Sequence, residues 1–322
     1  MKAAVVTPNG VEVREVPAPV PRPNHVLVRV RACGLNRADL GVAAGGMHGT
    51  VGGEGTIVGM EYAGEVAEVG AEVSGIKPGD RVMCSGGGGF AEYAVADWGR
   101  ASPVPASMSF EQAATLPVAL QTMHNALVTA GRLAAGESVL VQGVSSGVGL
   151  MGMQIAKYMG AALVIGSSTN AMRREKLKDF GADLALDTTD PAWPDAVLAA
   201  TEGKGVHLII DQVSAPVANA NMRAARVLGR IVNVGRLGGA KGEFDYDLHA
   251  LKRIDYIGVT FRTRSTEEVR EINRRMRADL WSAVEAGRLR LPIDRSFPLA
   301  QAAAALAHMR ANAHFGKVVL IT

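Results

Sequence analysis

Cysteine is scarce in this 322-residue chain: only Cys33 and Cys84 occur. Two cysteines cannot build a disulfide framework in a chain of this size. Nor can they supply a four-Cys zinc lobe, because tetrahedral zinc needs several thiolate, imidazole or carboxylate ligands. No apolar run approaches the length of a membrane span. Charge of one sign is nowhere concentrated. The net charge is only +3, from 34 Lys and Arg against 31 Asp and Glu, with no block that would make a nucleic-acid arm. A basic patch interleaved with aromatics, the mark of RNA binding, is also missing. The opening residues Met1-Lys2-Ala3-Ala4-Val5-Val6, followed by Pro8-Asn9-Gly10, read as a strand and a turn and not as a signal peptide. The expectation is a cytoplasmic, reducing environment and a partner that is neither nucleic acid nor membrane. There is no internal repeat.

What is present is a chain longer than one compact core usually holds, so two domains are expected. Up to about residue 100 the pattern is one of short strands and turns. Val26 to Val30 alternates branched residues with Arg29, Glu61 to Val69 is small and branched, and Lys77-Pro78-Gly79-Asp80 is a turn into another strand. After Pro117 the pattern changes. A helical stretch, Gln121 to Gly131, precedes strict strand–helix alternation. Strands are expected at 138–142, 162–165, 184–186, 206–210, 230–234 and 254–259, with helices at 148–159, 171–180, 191–201 and 215–228 between them. Such alternation of buried strands with helices implies a doubly wound parallel sheet. The tail holds an amphipathic helix at 266–286, an Ala-rich helix at 299–309 and a last strand at 317–321.

The segment richest in chemistry is Gln142-Gly143-Val144-Ser145-Ser146-Gly147-Val148-Gly149. It follows the first strand of the alternating half and opens a helix. Small residues there let backbone approach a pyrophosphate, and a helix N-terminus supplies free N–H groups and positive dipole. A bare glycine cluster is equally a structural turn, but here the flanking strand and helix agree with the dinucleotide motif. An NAD-selective site places an acid at the end of the second strand. Here the residues are Gly166-Ser167-Ser168-Thr169-Asn170, with Arg173 and Arg174 close behind. Hydroxyls and guanidinium suit a 2′-phosphate, so the expected cofactor is NADPH, with Ser167, Ser168 and Arg173 around that phosphate. The plainer reading of the basic run is a solvated helix face.

Seven short pieces in order then resemble the quinone-reductase (zeta-crystallin-like) branch of the medium-chain dehydrogenase/reductase superfamily: Gly34-Leu35-Asn36-Arg37-Ala38-Asp39, Gly59-Met60-Glu61-Tyr62-Ala63-Gly64, Lys77-Pro78-Gly79-Asp80-Arg81-Val82, Phe90-Ala91-Glu92-Tyr93, Ala113-Ala114-Thr115-Leu116-Pro117, Ser146-Gly147-Val148-Gly149 and Gly316-Lys317-Val318-Val319-Leu320. The resemblance runs nearly the whole length. It implies a Rossmann doubly wound parallel sheet over residues 121–261 plus a GroES-like β-rich catalytic domain made of 1–120 and 262–322, with the active cleft at their junction. Zinc-dependent members use a Cys and a His where this chain has Asn36 and Met60, so the resemblance implies a zinc-independent enzyme with no metal residues.

Carried over residue by residue, Asn36 is the candidate catalytic residue. Its alternative is a turn-capping Asn. Thr122, Ser145, Ser146, Gly147, Val148, Val234, Gly235, Phe261, Arg262 and Thr263 join the candidate cofactor residues. Asp39 is expected to be a structural partner, and Lys317 either reaches the cleft rim or, as is more usual for a terminal-strand Lys, is simply exposed. The tyrosines that some members carry after the Asn36 piece are replaced by Gly41-Val42-Ala43-Ala44-Gly45-Gly46-Met47-His48. A further Tyr that helps hold the 2′-phosphate in some relatives falls near Thr188 here. The implied activity is hydride transfer from NADPH to a quinone. The alternatives are an enoyl reductase acting on an α,β-unsaturated carbonyl or haloacrylate, and a redox-silent NADPH-binding crystallin-like or RNA-binding protein. The family also implies a homodimer, loosely supported by the apolar fifth and sixth strands of the nucleotide domain.

Overall fold

The computed structural model describes all 322 residues. They form two units, one of residues 1–118 with 261–322 and one of residues 119–260.

In the first unit, alternation in strand His25–Gly34 turns Val26, Val28 and Val30 inward, while Arg29 stays at the surface. Period-2 alternation gives a strand one buried face. This strand is the hub of a seven-stranded sheet. In order the sheet runs Ile293–Pro298, Lys317–Ile321, His25–Gly34, Glu61–Val69, Arg81–Ser85 and Ala101–Pro103, and Tyr93–Asp97 also pairs with the hub. Its pairs are antiparallel except the first, in which Ile293–Pro298 runs parallel to Lys317–Ile321. The last strand of the chain thus lies beside the hub, with Val319 opposite Gly34. Its core includes Val28, Cys33, Leu35, Tyr62, Phe90, Val318 and Leu320.

The second unit is a six-stranded, wholly parallel sheet in the order Leu184–Leu186, Leu163–Ser167, Ser138–Val141, Val206–Asp211, Ala225–Asn233, Asp255–Gly258. Counted along the chain within this unit, the order is 3-2-1-4-5-6. It reverses between Ser138–Val141 and Val206–Asp211, and ligands of open α/β sheets bind at the carboxyl ends of strands beside such a switch point. Leu140, Ile165, Ile209 and Ile231 are fully buried in its core. This is the Rossmann sheet, and the first unit is the GroES-like β-rich one.

Three helices differ from the sequence expectation. The helix expected over 215–228 is a short 3-10 turn and Ala218–Ala224, after which Ala225–Asn233 is strand. The cause is tertiary. Ala225 pairs with Val206, and Gly205, at φ +83°, lies so near that a Cβ there would meet the Ala224 carbonyl oxygen at 2.6 Å. Sheet pairing overrides the helix propensity of the Ala-rich run. The stretch expected as one helix over 121–131 is an α-helix, Pro117–His124, running into a π-helix, Asn125–Ala130. The wider turn closes with the Gly131 amide donating to Ala126 O at 2.8 Å. The helix expected over 171–180 is Ala171–Glu175 followed by 3-10 turn Leu177–Phe180.

Candidate active site

In the second unit the strand Ser138–Val141 delivers the chain into the glycine loop, and helix Gly147–Tyr158 carries it away. Gly143 turns at φ +66°, in the left-handed region open to glycine. Ser146 has extended backbone and caps the helix, its Oγ accepting from the Gly149 amide at 3.1 Å. The amides of Gly147 and Val148 therefore lie in the first turn, ahead of the intrahelical ladder, where an anion is attracted. A Cβ on Gly149 would stand 2.5 Å from Val144 Cα and 2.8 Å from Gln212 Nε2, so loop and helix can meet only with glycine there. Ser145, Ser146 and Val148 are partly exposed on this loop.

The loop is braced from below by polar groups. Ser167 is 1% exposed. Its hydroxyl accepts from the Gly143 amide at 3.0 Å and donates to Gln142 Oε1 at 2.5 Å. The single proton of that hydroxyl is committed to Gln142, so Ser167 acts on the loop from within. Gln212 Nε2 donates to Gln142 O at 2.9 Å, and its Oε1 accepts from Ser146 Oγ at 3.3 Å. Gln212 is a brace that sequence reading missed, because it comes 66 residues after Ser146 with no local pattern to mark it.

The second strand, Leu163–Ser167, ends without an acid. Ser168 is buried, and Asn170 Oδ1 accepts from the Arg173 amide at 3.0 Å, starting the next helix. Arg173 is half-buried. Arg174 is engaged otherwise, by Ser168 O and by Asp187 Oδ2, each at 2.8 Å. At the ends of the fourth and fifth strands, the Val234 and Gly235 amides donate to Asp211 O at 2.8 and 3.2 Å. Ser214 lies against them with φ +71° and ψ −115°. Its hydroxyl donates to Gly235 O at 2.6 Å and accepts from Asn233 Nδ2. Thr122 is half-buried on helix Pro117–His124.

In the first unit, Phe261, Arg262 and Thr263 form a turn packed on the 47–52 hairpin. A Cβ on Gly49 would lie 3.0 Å from Arg262 O. Burial, aided by Arg262, pushes the His48 imidazole below its ordinary value. Arg264 lies 6.0 Å over the Phe261 ring.

Asn36 sits in a buried polar cluster of this unit. It is 8% exposed, Glu61 0% and Lys317 3%. The expectation that Lys317 is exposed is thus overturned. Strand Lys317–Ile321 is an inner strand beside the hub, and it carries the ammonium inward to partners far away in the chain. Lys317 Nζ donates to Leu35 O at 2.7 Å, to Asn36 Oδ1 at 3.1 Å and to Glu61 Oε1. Asn36 Nδ2 donates to Glu61 Oε1 at 2.8 Å, and Glu61 Oε2 accepts from the Val118 amide at 2.8 Å. Asp39 Oδ2 accepts from the Asn36 amide at 2.7 Å. Burial pushes the Asp39 carboxyl from 3.8 up to about 7, against the pull of that amide and of Lys317.

A zinc ion does not fit these residues. Glu61 already accepts from the ammonium and two N–H donors. Cys33 donates its thiol to Gly89 O at 2.6 Å, and burial raises its pKa well above the ordinary thiol value, away from the thiolate a metal needs. No group of three His, Cys, Asp or Glu is placed to hold a metal.

Two family models match the chain. One is the alcohol dehydrogenase GroES-like domain over residues 22–106, and the other is the zinc-binding dehydrogenase model over residues 147–277. The quinone oxidoreductase of Mus musculus is 30% identical over 312 residues, covering 95% of this chain and 92% of that protein. Polyketide synthase GfsB of Streptomyces halstedii is 32% identical over 299 residues, covering 92% of this chain, but the chain spans only 5% of that synthase's length. The structure of mycobacterial Rv1454c complexed with NADPH superposes with a TM-score of 0.89 at 27% identity, over 100% of both chains. With the strand order and the glycine loop in place, these likenesses identify the chain as a member of the medium-chain dehydrogenase/reductase superfamily, in its quinone oxidoreductase-like branch.

Proposed function

We propose that this chain is a zinc-independent, NADPH-dependent quinone oxidoreductase. The observation that carries the reading is the Ser146-capped glycine loop, followed by a second strand that ends in serine, with Arg173 on the next helix, where an NAD site would hold an acid. NADPH, when bound, supplies a hydride. The protein binds and orients it. The Ser145–Val148 backbone holds the pyrophosphate, Ser168 and Arg173 hold the 2′-phosphate, and Ser167 supports the loop. Thr122, Val234, Gly235 and the Phe261–Thr263 turn position the nicotinamide end. Asn36 Nδ2 donates a hydrogen bond to the oxygen that gains charge as the acceptor is reduced.

A quinone and an α,β-unsaturated carbonyl both develop such an oxyanion, so the enoyl reductase reading shares the site. No helix is long and apolar enough to cross a membrane. Both cysteines are free and buried, which supports a reducing, cytoplasmic setting. Two copies would pair through the open edge strand Asp255–Gly258, near which Tyr246 and Leu251 remain exposed.

The test is titration with NADPH and NADH, then absorbance in the dihydronicotinamide band, at about 340 nm, with 1,4-benzoquinone, 9,10-phenanthrenequinone and a small enone. Quinone-dependent NADPH oxidation that falls about 100-fold in Asn36→Ala is expected. Oxidation by the enone alone moves the assignment to an enoyl reductase. NADPH binding with no acceptor reduced makes it a redox-silent binder.

A further inference from the structure

We propose that Lys317 is a positioning residue that locks the Asn36 amide in a single orientation. The inference rests on the role of Asn36 proposed above. The two ends of an Asn amide have nearly the same shape and opposite hydrogen-bonding character. Rotation by half a turn exchanges donor for acceptor at almost no steric cost. Here the choice is forced by two neighbours that cannot change roles. The ammonium of Lys317 can only donate, and it points at Asn36 Oδ1 from 3.1 Å. The carboxylate of Glu61 can only accept, and it takes Asn36 Nδ2 at 2.8 Å. Turning the amide over would set NH2 against ammonium and carbonyl against carboxylate, beside two charged groups that are almost wholly buried.

The count of donors shows why neither charged group is itself the acid or the oxyanion partner. Three N–H bonds of Lys317 meet three acceptors, Leu35 O, Asn36 Oδ1 and Glu61 Oε1. Glu61 Oε1 takes Lys317 and Asn36, and Oε2 takes the Val118 amide. The second N–H of Asn36 Nδ2 is the donor left in this set, and its direction follows from the first. Lys317 and Glu61 therefore act through Asn36, across a separation of 281 and 25 residues in the chain.

The experiment compares Lys317→Met, and the charge-neutral pair Lys317→Met with Glu61→Gln, each alone and combined with Asn36→Ala. The pair is included because a lone buried carboxylate can unfold the single variant. With a quinone as acceptor, kcat is expected to fall about 10- to 100-fold, with KM for NADPH unchanged. Adding Asn36→Ala should change it no further than about twofold, since residues acting through one group are not additive. Additive losses, or a loss confined to KM, overturn the inference while leaving the quinone reductase reading intact. A second readout needs no turnover. The Asn36 side-chain amide signal, identified by its loss in Asn36→Ala, should exchange its protons with water at least about tenfold faster once Lys317 is gone. An unchanged exchange rate overturns the inference even if the wild type reduces no acceptor, an outcome that would sink the proposed activity separately.

Discussion

Replacing Arg173 by Ala should weaken NADPH binding and leave NADH binding almost unchanged. The magnitude follows from what remains around the site. Arg174 is engaged elsewhere, its Nη1 held by Asp187 and by the Ser168 carbonyl at 2.8 Å each. Ser168 is buried and offers a neutral hydroxyl at best. The loss is therefore that of one charge-assisted bond, about 1.5–3 kcal/mol. That corresponds to roughly a 10- to 150-fold rise in Kd for NADPH and less than about twofold for NADH. Fluorescence titration of wild type and variant with both cofactors reads this directly. Arg173→Glu should go further, repelling the 2′-phosphate and bringing the two affinities together or inverting them. If Arg173→Ala weakened both cofactors equally, the residue would be supporting the loop and not reading the phosphate. If the wild type preferred NADH, the argument from the acid-free strand end would fall altogether.

Ser214 holds a backbone conformation that costs a non-glycine residue on the order of 1–3 kcal/mol. Ser214→Gly should release that strain while losing the hydroxyl's bonds to Gly235 and Asn233, whereas Ser214→Ala loses the bonds and keeps the strain. Thermal unfolding should rank Ala below Gly by about 1 kcal/mol or more, and both should weaken NADPH binding through the Val234–Gly235 segment. Equal stability of the two variants would mean the backbone there is relaxed. Asp39 supplies a pH test. Its carboxyl is raised from 3.8 to about 7, so between these values the folded state binds more protons than the unfolded one. The stability this gives is complete below about pH 4 and is lost as pH rises to about 7, a swing on the order of a few kcal/mol. Relative to wild type, Asp39→Asn should gain melting temperature across that interval; parallel curves would show that Asp39 keeps an ordinary pKa.

The parts of this molecule that could be read in its sequence are those whose cause is local. The glycine loop announces itself because strand, small residues and helix are contiguous, and the missing acid after Leu163–Ser167 is visible one residue at a time. Lys317 shows the opposite case. In a terminal strand it reads as a surface lysine, and only the pairing of that strand with His25–Gly34 brings it to Glu61, 256 residues away. Gln212 is hidden for the same reason. The premature end of the helix at Ala224 is also nonlocal, since the residues after it favour helix until Val206 offers them a sheet partner. Ser167 is visible in the sequence as the serine at the end of the second strand, but the direction of its hydroxyl, down into Gln142 and Gly143, depends on two elements packing together.

The burial of Cys33 has a chemical consequence when the acceptor is a quinone or an enone. Both are electrophiles, and thiolates are the side chains that add to them most readily. Cys33 lies three residues before Asn36, where a reactive thiol would be a target for the substrate itself. It is fully buried, its proton is held on Gly89 O, and Cys84 is buried as well. Burial raises the pKa of both, so they stay thiols, well below the pH at which they would ionise. The fold that makes Cys33 useless to a metal also shields the protein from alkylation by the compounds it is proposed to reduce.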